Sequence, residues 1–159
     1  MSNIEHPSRN SLQKIKFTLQ PGEWHGHSSE GLWANEVIRG KYRVENTPFF
    51  VKGISYQDII SASVEGDEVV FFRKLISGGH STYRLILTEE AKPNIFQKYW
   101  MPLSDIGCTY ESGNFGYTMI AVDVPNKMIL QKTFDLLVNG QENKAWDFEE
   151  GDVSAVALG

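Results

Sequence analysis

Apolar and polar residues alternate along the first half of the chain with the period of short β-strands. Ile15, Phe17 and Leu19 alternate with polar residues, and Pro21-Gly22 ends this first strand. Four further β-prone stretches follow, each bounded by turn residues: 32–37, 42–46, 59–62 and 69–76. Five short strands separated by turns predict a small β-barrel-like half over residues 14–78.

The second half follows a different pattern, in which strands alternate with amphipathic helices. A helix is predicted over residues 93–105, with Pro102 bending it or ending it early, and a second helix is predicted from the N-cap Asn126 to a C-cap at Asn139-Gly140. Strands flank both helices: 81–88, 108–111, 117–124 and a last one that starts at Ala145. This βαββαβ order predicts a ferredoxin-like half over residues 79–153. Its helices lie on one face of the sheet, so the other face is either covered by the first half or binds a partner.

The chain is therefore predicted to be an α+β protein with a flexible lead-in at 1–13 and a tail at 154–159. Its 159 residues include 41% hydrophobic residues, which is enough apolar surface for a folded core. No apolar run reaches the roughly 20 residues that span a bilayer. The first ten residues are polar, and Cys108 is the only cysteine. These features predict a cytoplasmic protein without a membrane segment or a disulfide.

The acidic charge is concentrated in the second half. Residues 1–80 carry nine basic and nine acidic side chains, whereas residues 81–159 carry six basic and eleven acidic ones, which accounts for the net charge of −5. An acidic surface repels phosphate backbones and attracts basic proteins. Direct nucleic-acid binding is therefore disfavoured, and the simplest alternative is a solvated acidic surface that aids solubility.

Six acidic residues are candidate contacts for a basic partner protein. They cluster near the end of the chain or on neighbouring predicted strands: Glu111, Asp123, Asp147, Glu149, Glu150 and Asp152. Asp123 lies in an otherwise apolar strand, so it either faces solvent, pairs with Arg84 or meets the partner.

A second candidate site lies where the two predicted halves join. His80 precedes Ser81 and Thr82, and Asp58 is a candidate to orient the imidazole if the two halves face each other. Arg84 lies on the predicted strand 81–88, which His80 directly precedes. No activated-nucleophile motif such as Gly-x-Ser-x-Gly accompanies them, so a structural histidine at the junction is the favoured interpretation. An enzyme or small-ligand binder that uses Asp58, His80 and Arg84 remains the alternative.

The pair His25-Gly26-His27 has the spacing of two metal ligands, with Glu23 and Glu30 as nearby candidates for a third and fourth. A glycine between histidines in a polar stretch is more typical of an ordinary loop. Cys108 is expected to be a buried, unreactive thiol, because only acidic residues are near it in sequence. We therefore predict neither a metal nor a cofactor.

Several short motifs, taken together, resemble an uncharacterised bacterial family of domains of unknown function. They extend from about residue 14 to 152: Leu32-Trp33-Ala34, Gly40-x-Tyr42, Asn46-x-Pro48-Phe49-Phe50, Gly53, Asp58, Gly79-His80-Ser81-Thr82, Arg84, Gly107-Cys108, Ala121-Val122-Asp123-Val124-Pro125 and Trp146-x-x-Glu149-Glu150-Gly151-Asp152. This resemblance implies no established activity. In size and acidity the chain is also similar in type to the immunity proteins of bacterial toxin systems.

These observations lead to the expectation that the protein is not an enzyme and acts by binding another protein. The expected partner is a basic cognate toxin domain, most plausibly a nuclease. The acidic surface would cover the Lys, Arg and His side chains that such a toxin uses to bind phosphate.

Overall fold

The structure, a computed structural model, describes residues 12–88 and 93–153. These residues form a mixed α+β fold with nine strands and two helices. The elements are β1 (Leu12–Thr18), β2 (Ser29–Ile38), β3 (Lys41–Val44), β4 (Ile59–Glu65), β5 (Glu68–Ile76), β6 (Ser81–Leu87), α1 (Pro93–Asp105), β7 (Thr109–Asn114), β8 (Thr118–Val124), α2 (Leu130–Glu142) and β9 (Trp146–Asp152). The predicted tail at 154–159 lies outside the described residues, as do residues 1–11 of the predicted lead-in, and β1 begins at Leu12.

The first five strands form a sheet that closes into a ring. Each strand pairs antiparallel with the next, and β5 pairs in parallel with β1 at Ile15 and Val69. The inward-facing side chains form one apolar cluster: Ile15, Phe17, Leu32, Ala34, Tyr42, Val44, Val51, Ile54 and Ile60. The strand positions follow the predicted alternation because every second residue of a ring strand must be apolar to fill the interior.

The last four strands form an antiparallel sheet in the order β7-β8-β6-β9. Both helices pack on one face of this sheet around a second apolar cluster: Tyr83, Leu85, Phe96, Trp100, Leu103, Cys108, Ile120, Val122, Val124, Leu130, Leu137, Ala145 and Trp146. The helices therefore lie on one side, as predicted, and the alternate residues of β6 and β8 point to the opposite face.

Both predicted helices form, and two details need correction. Helix α1 has the predicted bounds, Pro93–Asp105, and continues three residues past Pro102, so the proline does not end it early. Asn126 does cap a helical segment, since its side chain accepts the Met128 amide, but this segment is a 3₁₀ turn that leads into α2. Helix α2 then runs through the predicted C-cap Gly140 to Glu142. Gly140 is therefore not a C-cap. A glycine is needed at this position because a Cβ atom would overlap the ring of buried Trp146.

The outer edge of β9 is partly closed by hydrogen bonds to its backbone. The Phe148 amide donates to Oε1 of Gln141 on α2, at 3.2 Å. The Gly151 carbonyl accepts the Gly53 amide from the first half, at 2.9 Å.

Within 12–88 and 93–153, neither helix is long and apolar enough to cross a membrane.

Candidate functional site: the seam between the two halves

The sheet face opposite the helices is covered by the loop between β3 and β4. Arg84 on β6 donates from Nη1 to the carbonyls of Phe49 (2.8 Å) and Phe50 (3.0 Å) in that loop. Ser55 Oγ lies 2.7 Å from Oγ1 of Thr82. Of the two arrangements that the sequence left open, the first half therefore covers this face. We call this contact region the seam.

Glu30 at the start of β2 fixes the loop in place. Its carboxylate accepts three successive backbone amides, from Phe49 (2.8 Å), Phe50 (2.9 Å) and Val51 (2.9 Å). Charge-assisted bonds of this kind are stronger than neutral ones, and three of them hold the loop backbone rigidly. Glu30 was a candidate metal ligand on sequence grounds, and the structure gives it this anchoring role.

Asp58 is the centre of a buried polar network at one end of the seam. Its side chain is fully buried and accepts the amides of Ser55 and Gly78, both at 2.8 Å. Lys74 Nζ lies 3.1 Å from Asp58 and 3.6 Å from Asp152. Asp152 also accepts the Ser55 hydroxyl at 2.8 Å. Asp58 therefore neutralises a lysine and ties two chain segments together, and it is not the residue that orients His80.

The carboxylate beside His80 belongs to Asp123. Nδ1 of His80 lies 2.7 Å and 3.0 Å from the two oxygens of Asp123, and the Tyr56 ring packs edge-on against the imidazole at 5.3 Å. Burial raises the pKa of Asp123, and the hydrogen bond and charge of His80 partly offset that rise. An oriented imidazole of this kind can accept a proton, provided that a substrate reaches its other nitrogen.

Arg84 pairs with Glu149, so a pairing with Asp123, one of the three alternatives left open for that aspartate, does not occur. Arg84 is 1% exposed, and its Nε lies 2.6 Å from Oε1 of Glu149. The two residues are direct neighbours in the β6–β9 register. Trp24, from the loop between β1 and β2, donates its indole N–H to the same Glu149 oxygen at 3.1 Å.

An aromatic cluster lies around Phe50, whose carbonyl accepts a hydrogen bond from Arg84. His25 and His27 pack on Phe50, with ring centroids 4.5 Å and 4.2 Å away. Phe115, in the turn between β7 and β8, packs against Phe50 at 4.9 Å. Tyr117 lies 5.8 Å from Trp24. The two histidines that suggested a metal pair are thus part of an aromatic cluster.

Four of the six predicted contact acids form bonds within the seam. Glu111 accepts the Thr47 amide at 2.9 Å, and the other three are Asp123, Glu149 and Asp152, whose partners are described above. The acids of β7 and β8 lie there because their positions face the first half in register with Thr82 and Arg84. Asp147 and Glu150 are the two members of the set whose side chains are exposed.

Sequence reasoning missed three residues of the seam: Glu30 as an anchor, Trp24 and Tyr117. Trp24 carried the only available signal, because a tryptophan in a glycine-rich polar loop needs a packing partner. Glu30 and Tyr117 have no such signal, because the amides that Glu30 binds and the Trp24 ring that Tyr117 contacts are more than fifteen residues away in the chain. The prediction that Cys108 is buried is confirmed, since it is 3% exposed and burial raises the pKa of its thiol.

The environment of His25 predicts a loss of stability in mild acid. Burial, followed by the charge of nearby Arg84, lowers the pKa of His25 below its usual 6.5. A lowered folded-state pKa means that the unfolded chain binds the proton first, so stability is lost as the pH falls from about 6.5 through the lowered folded value. We expect H25F to lack this component, in urea unfolding measured between pH 7.5 and pH 5. Parallel pH profiles of wild type and variant would contradict the expectation.

Most of the chain matches the model of a known protein family. The model of a family described as a domain of unknown function, DUF4265, matches residues 30–148. The chain belongs to this family. The expected membership of an uncharacterised domain family is thereby confirmed, while the likeness to immunity proteins stays a prediction.

The fold of this DUF4265 protein also occurs in a solved structure. That structure is titled a novel crystal structure of a hypothetical protein from Neisseria gonorrhoeae. It superposes with a TM-score of 0.71 at 16% identity, over 88% of this chain and 95% of that one. At this identity the likeness concerns the fold alone. No curated protein matches the chain.

Proposed function

We propose that this DUF4265 protein is a non-enzymatic binding protein that neutralises a basic bacterial toxin domain, most plausibly a nuclease, inside the cytoplasm. One observation carries the proposal. Asp147 and Glu150 are exposed on the edge strand β9, and neither forms an ion pair among the described residues. Their charge is therefore available to a partner, whereas the other four candidate acids are occupied within the seam.

An aromatic pair on the same face of β9 as Glu150 adds an apolar contact, whereas Asp147 points to the opposite face of this edge strand. Phe134 on α2 is 39% exposed and packs edge-on against Phe148 of β9, with centroids 5.9 Å apart. Protein interfaces typically combine aromatic anchors with a charged rim, and the rim mainly sets the association rate. We call Phe134, Asp147, Phe148 and Glu150 the β9 surface.

The two-part architecture suits a rigid binding protein. We interpret the strand ring as a small β-barrel and the βαββαβ half as ferredoxin-like, and the strand order β7-β8-β6-β9 supports the second interpretation. The bonds of the seam hold the β9 surface in one orientation relative to the ring. A partner would therefore meet a preorganised surface, which reduces the entropic cost of binding.

Charge reversal on the β9 surface tests the proposal. With the toxin domain encoded by an adjacent gene as partner, D147K/E150K should reduce the association rate at low salt by about tenfold or more. The matched control is E65K/D67K at the β4–β5 turn, which changes the net charge equally at exposed positions. The control should retain most of the rate and should still protect cells that express the toxin.

Equal effects of the two double variants would show that only overall charge matters and would contradict a specific β9 surface. The absence of any adjacent toxin gene whose product binds the purified protein would remove the proposal altogether.

A second candidate function rests on the His80–Asp123 pair. The oriented imidazole and the adjacent Tyr56 favour an enzyme or small-ligand binder at the seam, the alternative that the sequence left open at Asp58, His80 and Arg84. Ligands that bind the folded state raise its stability, so a thermal-shift screen with nucleotides, metal ions and acyl compounds is the test. A hit that H80A abolishes would support this function, and an unresponsive protein would exclude it.

A further inference from the structure

Three buried polar groups around Trp24 have no hydrogen-bond partner among the described residues. They are Nη2 of Arg84, Nε2 of His25 and the hydroxyl of Tyr117, whereas Nε of Arg84, which also makes no hydrogen bond, faces Glu149 at 2.6 Å in the ion pair. Folded proteins leave very few buried polar atoms unpaired, and each such atom needs an explanation. The three belong to one locality, because the Trp24 ring packs on His25 (5.5 Å) and Tyr117 (5.8 Å) and its N–H shares Glu149 with Arg84.

All three groups can act as hydrogen-bond donors. A guanidinium nitrogen only donates, and a tyrosine hydroxyl can donate. The His27 amide donates to Nδ1 of His25 at 3.0 Å, so the neutral ring of His25 carries its proton on Nε2. A set of donors without acceptors is complementary to an oxyanion, above all to a carboxylate, which accepts through both oxygens.

The surroundings of the donors are aromatic and adjoin a cavity. Phe50 and Phe115 pack against each other beside His25. A cavity of about 480 Å³ shares His25 and Phe50 with this cluster and is further lined by Phe17, Leu19 and Phe71. Its volume is within the range of small-molecule sites, which are mostly apolar with a few placed polar groups.

Trp24 packs at the surface against two of the three donor residues, His25 and Tyr117. Its side chain is 50% exposed, and among the described residues its indole N–H is bonded to Glu149 alone. Its loop contains two glycines in the left-handed region, Gly22 and Gly26. A rotation of the exposed ring away from Tyr117 would uncover the donors without breaking either apolar cluster.

We propose that this locality is a binding site for a small aromatic carboxylate, whose carboxylate group accepts hydrogen bonds from Arg84, His25 and Tyr117. The aromatic part packs against Phe50 and extends into the adjoining cavity. The site lies in the seam beside Glu149 of β9, and its test does not depend on the neutralising function proposed above.

The test uses benzoate as the probe, with benzamide and acetate as comparisons. The Trp24 indole N–H resonance, assigned from W24F, is followed by NMR during titration of the full chain. Benzoate should shift this resonance saturably and more strongly than either comparison, because it alone combines the carboxylate with the ring. Equal binding of benzamide would overturn the carboxylate assignment, and no shift with either carboxylate would overturn the site.

Y117F separates a ligand role from a structural one. The substitution removes a hydroxyl that has no described partner, so folding stability should be unchanged or slightly higher. Benzoate affinity should nevertheless fall about tenfold, as expected for a lost bond to a charged group. The matched control is Y110F on β7, a tyrosine outside the cluster, which should bind benzoate like wild type. Unchanged affinity in Y117F would overturn the proposal.

Discussion

D58N is expected to lower the free energy of unfolding by about 3–5 kcal/mol, the range for a buried ion pair that loses one charge. Both carboxylate oxygens of Asp58 accept backbone amides, and Lys74 approaches one of them at 3.1 Å. An asparagine of the same shape turns an NH₂ group toward one of these donors. Among the described residues, Lys74 then keeps one acidic neighbour, Asp152 at 3.6 Å, and the Gly53 carbonyl at 3.2 Å.

Chemical denaturation followed by tryptophan fluorescence measures this loss. The control is D67N, which makes the same chemical change at the exposed β4–β5 turn. Its free energy of unfolding should stay within about 0.5 kcal/mol of the wild-type value. A loss below about 1 kcal/mol for D58N would mean that the network around Asp58 does not stabilise the seam.

G140A is expected to lower the free energy of unfolding by about 2 kcal/mol or more. This loss is expected even though alanine is more favourable than glycine inside a helix by about 1 kcal/mol. The added Cβ overlaps the ring of Trp146, which is fully buried and donates from Nε1 to the Leu137 carbonyl at 3.0 Å. Either the ring or helix α2 must move. K132A, on the exposed side of the same helix, is the control and should change stability little.

A double-mutant cycle with W146F isolates the steric cause. Phenylalanine lacks the part of the indole that the new methyl group meets, so G140A should cost less in the W146F background. The coupling energy should be about 0.5–3 kcal/mol. Additive effects of the two substitutions would show that Gly140 serves the helix backbone and not the packing.

Gly140 also illustrates where sequence reasoning fails. Asn-Gly near the end of an apolar helical pattern predicts a C-cap, and nothing local distinguishes that role from a close approach to a distant ring. The strands of the ring were predictable because their alternation and turn residues are local signals. The helices were predictable in position for the same reason, through their three- and four-residue spacing.

The candidate site was harder to predict because its pairs join residues that are distant in the chain. Alternation along β8 shows that Asp123 points away from Val122, but it does not show that the first half covers this face. The pairing of His80 with Asp123, and not with Asp58, follows from the β6–β8 register, in which Asp123 lies opposite Thr82, two residues from His80. The cover by the first half occupies Glu111, Glu149 and Asp152, so Asp147 and Glu150 are the predicted acidic contacts that stay available to a partner.

The bonds from Gln141 and Gly53 to the edge of β9 restrict how the neighbouring acids can be recognised. Peptides that recognise a sheet by adding a strand need free main-chain groups along its border, and two of those groups are already used here. If the proposed toxin domain binds Asp147 and Glu150, it must then do so through side chains. A linear basic peptide would be a poor mimic of that proposed partner, and a folded domain that presents fixed arginines would be a better starting point for engineered ligands.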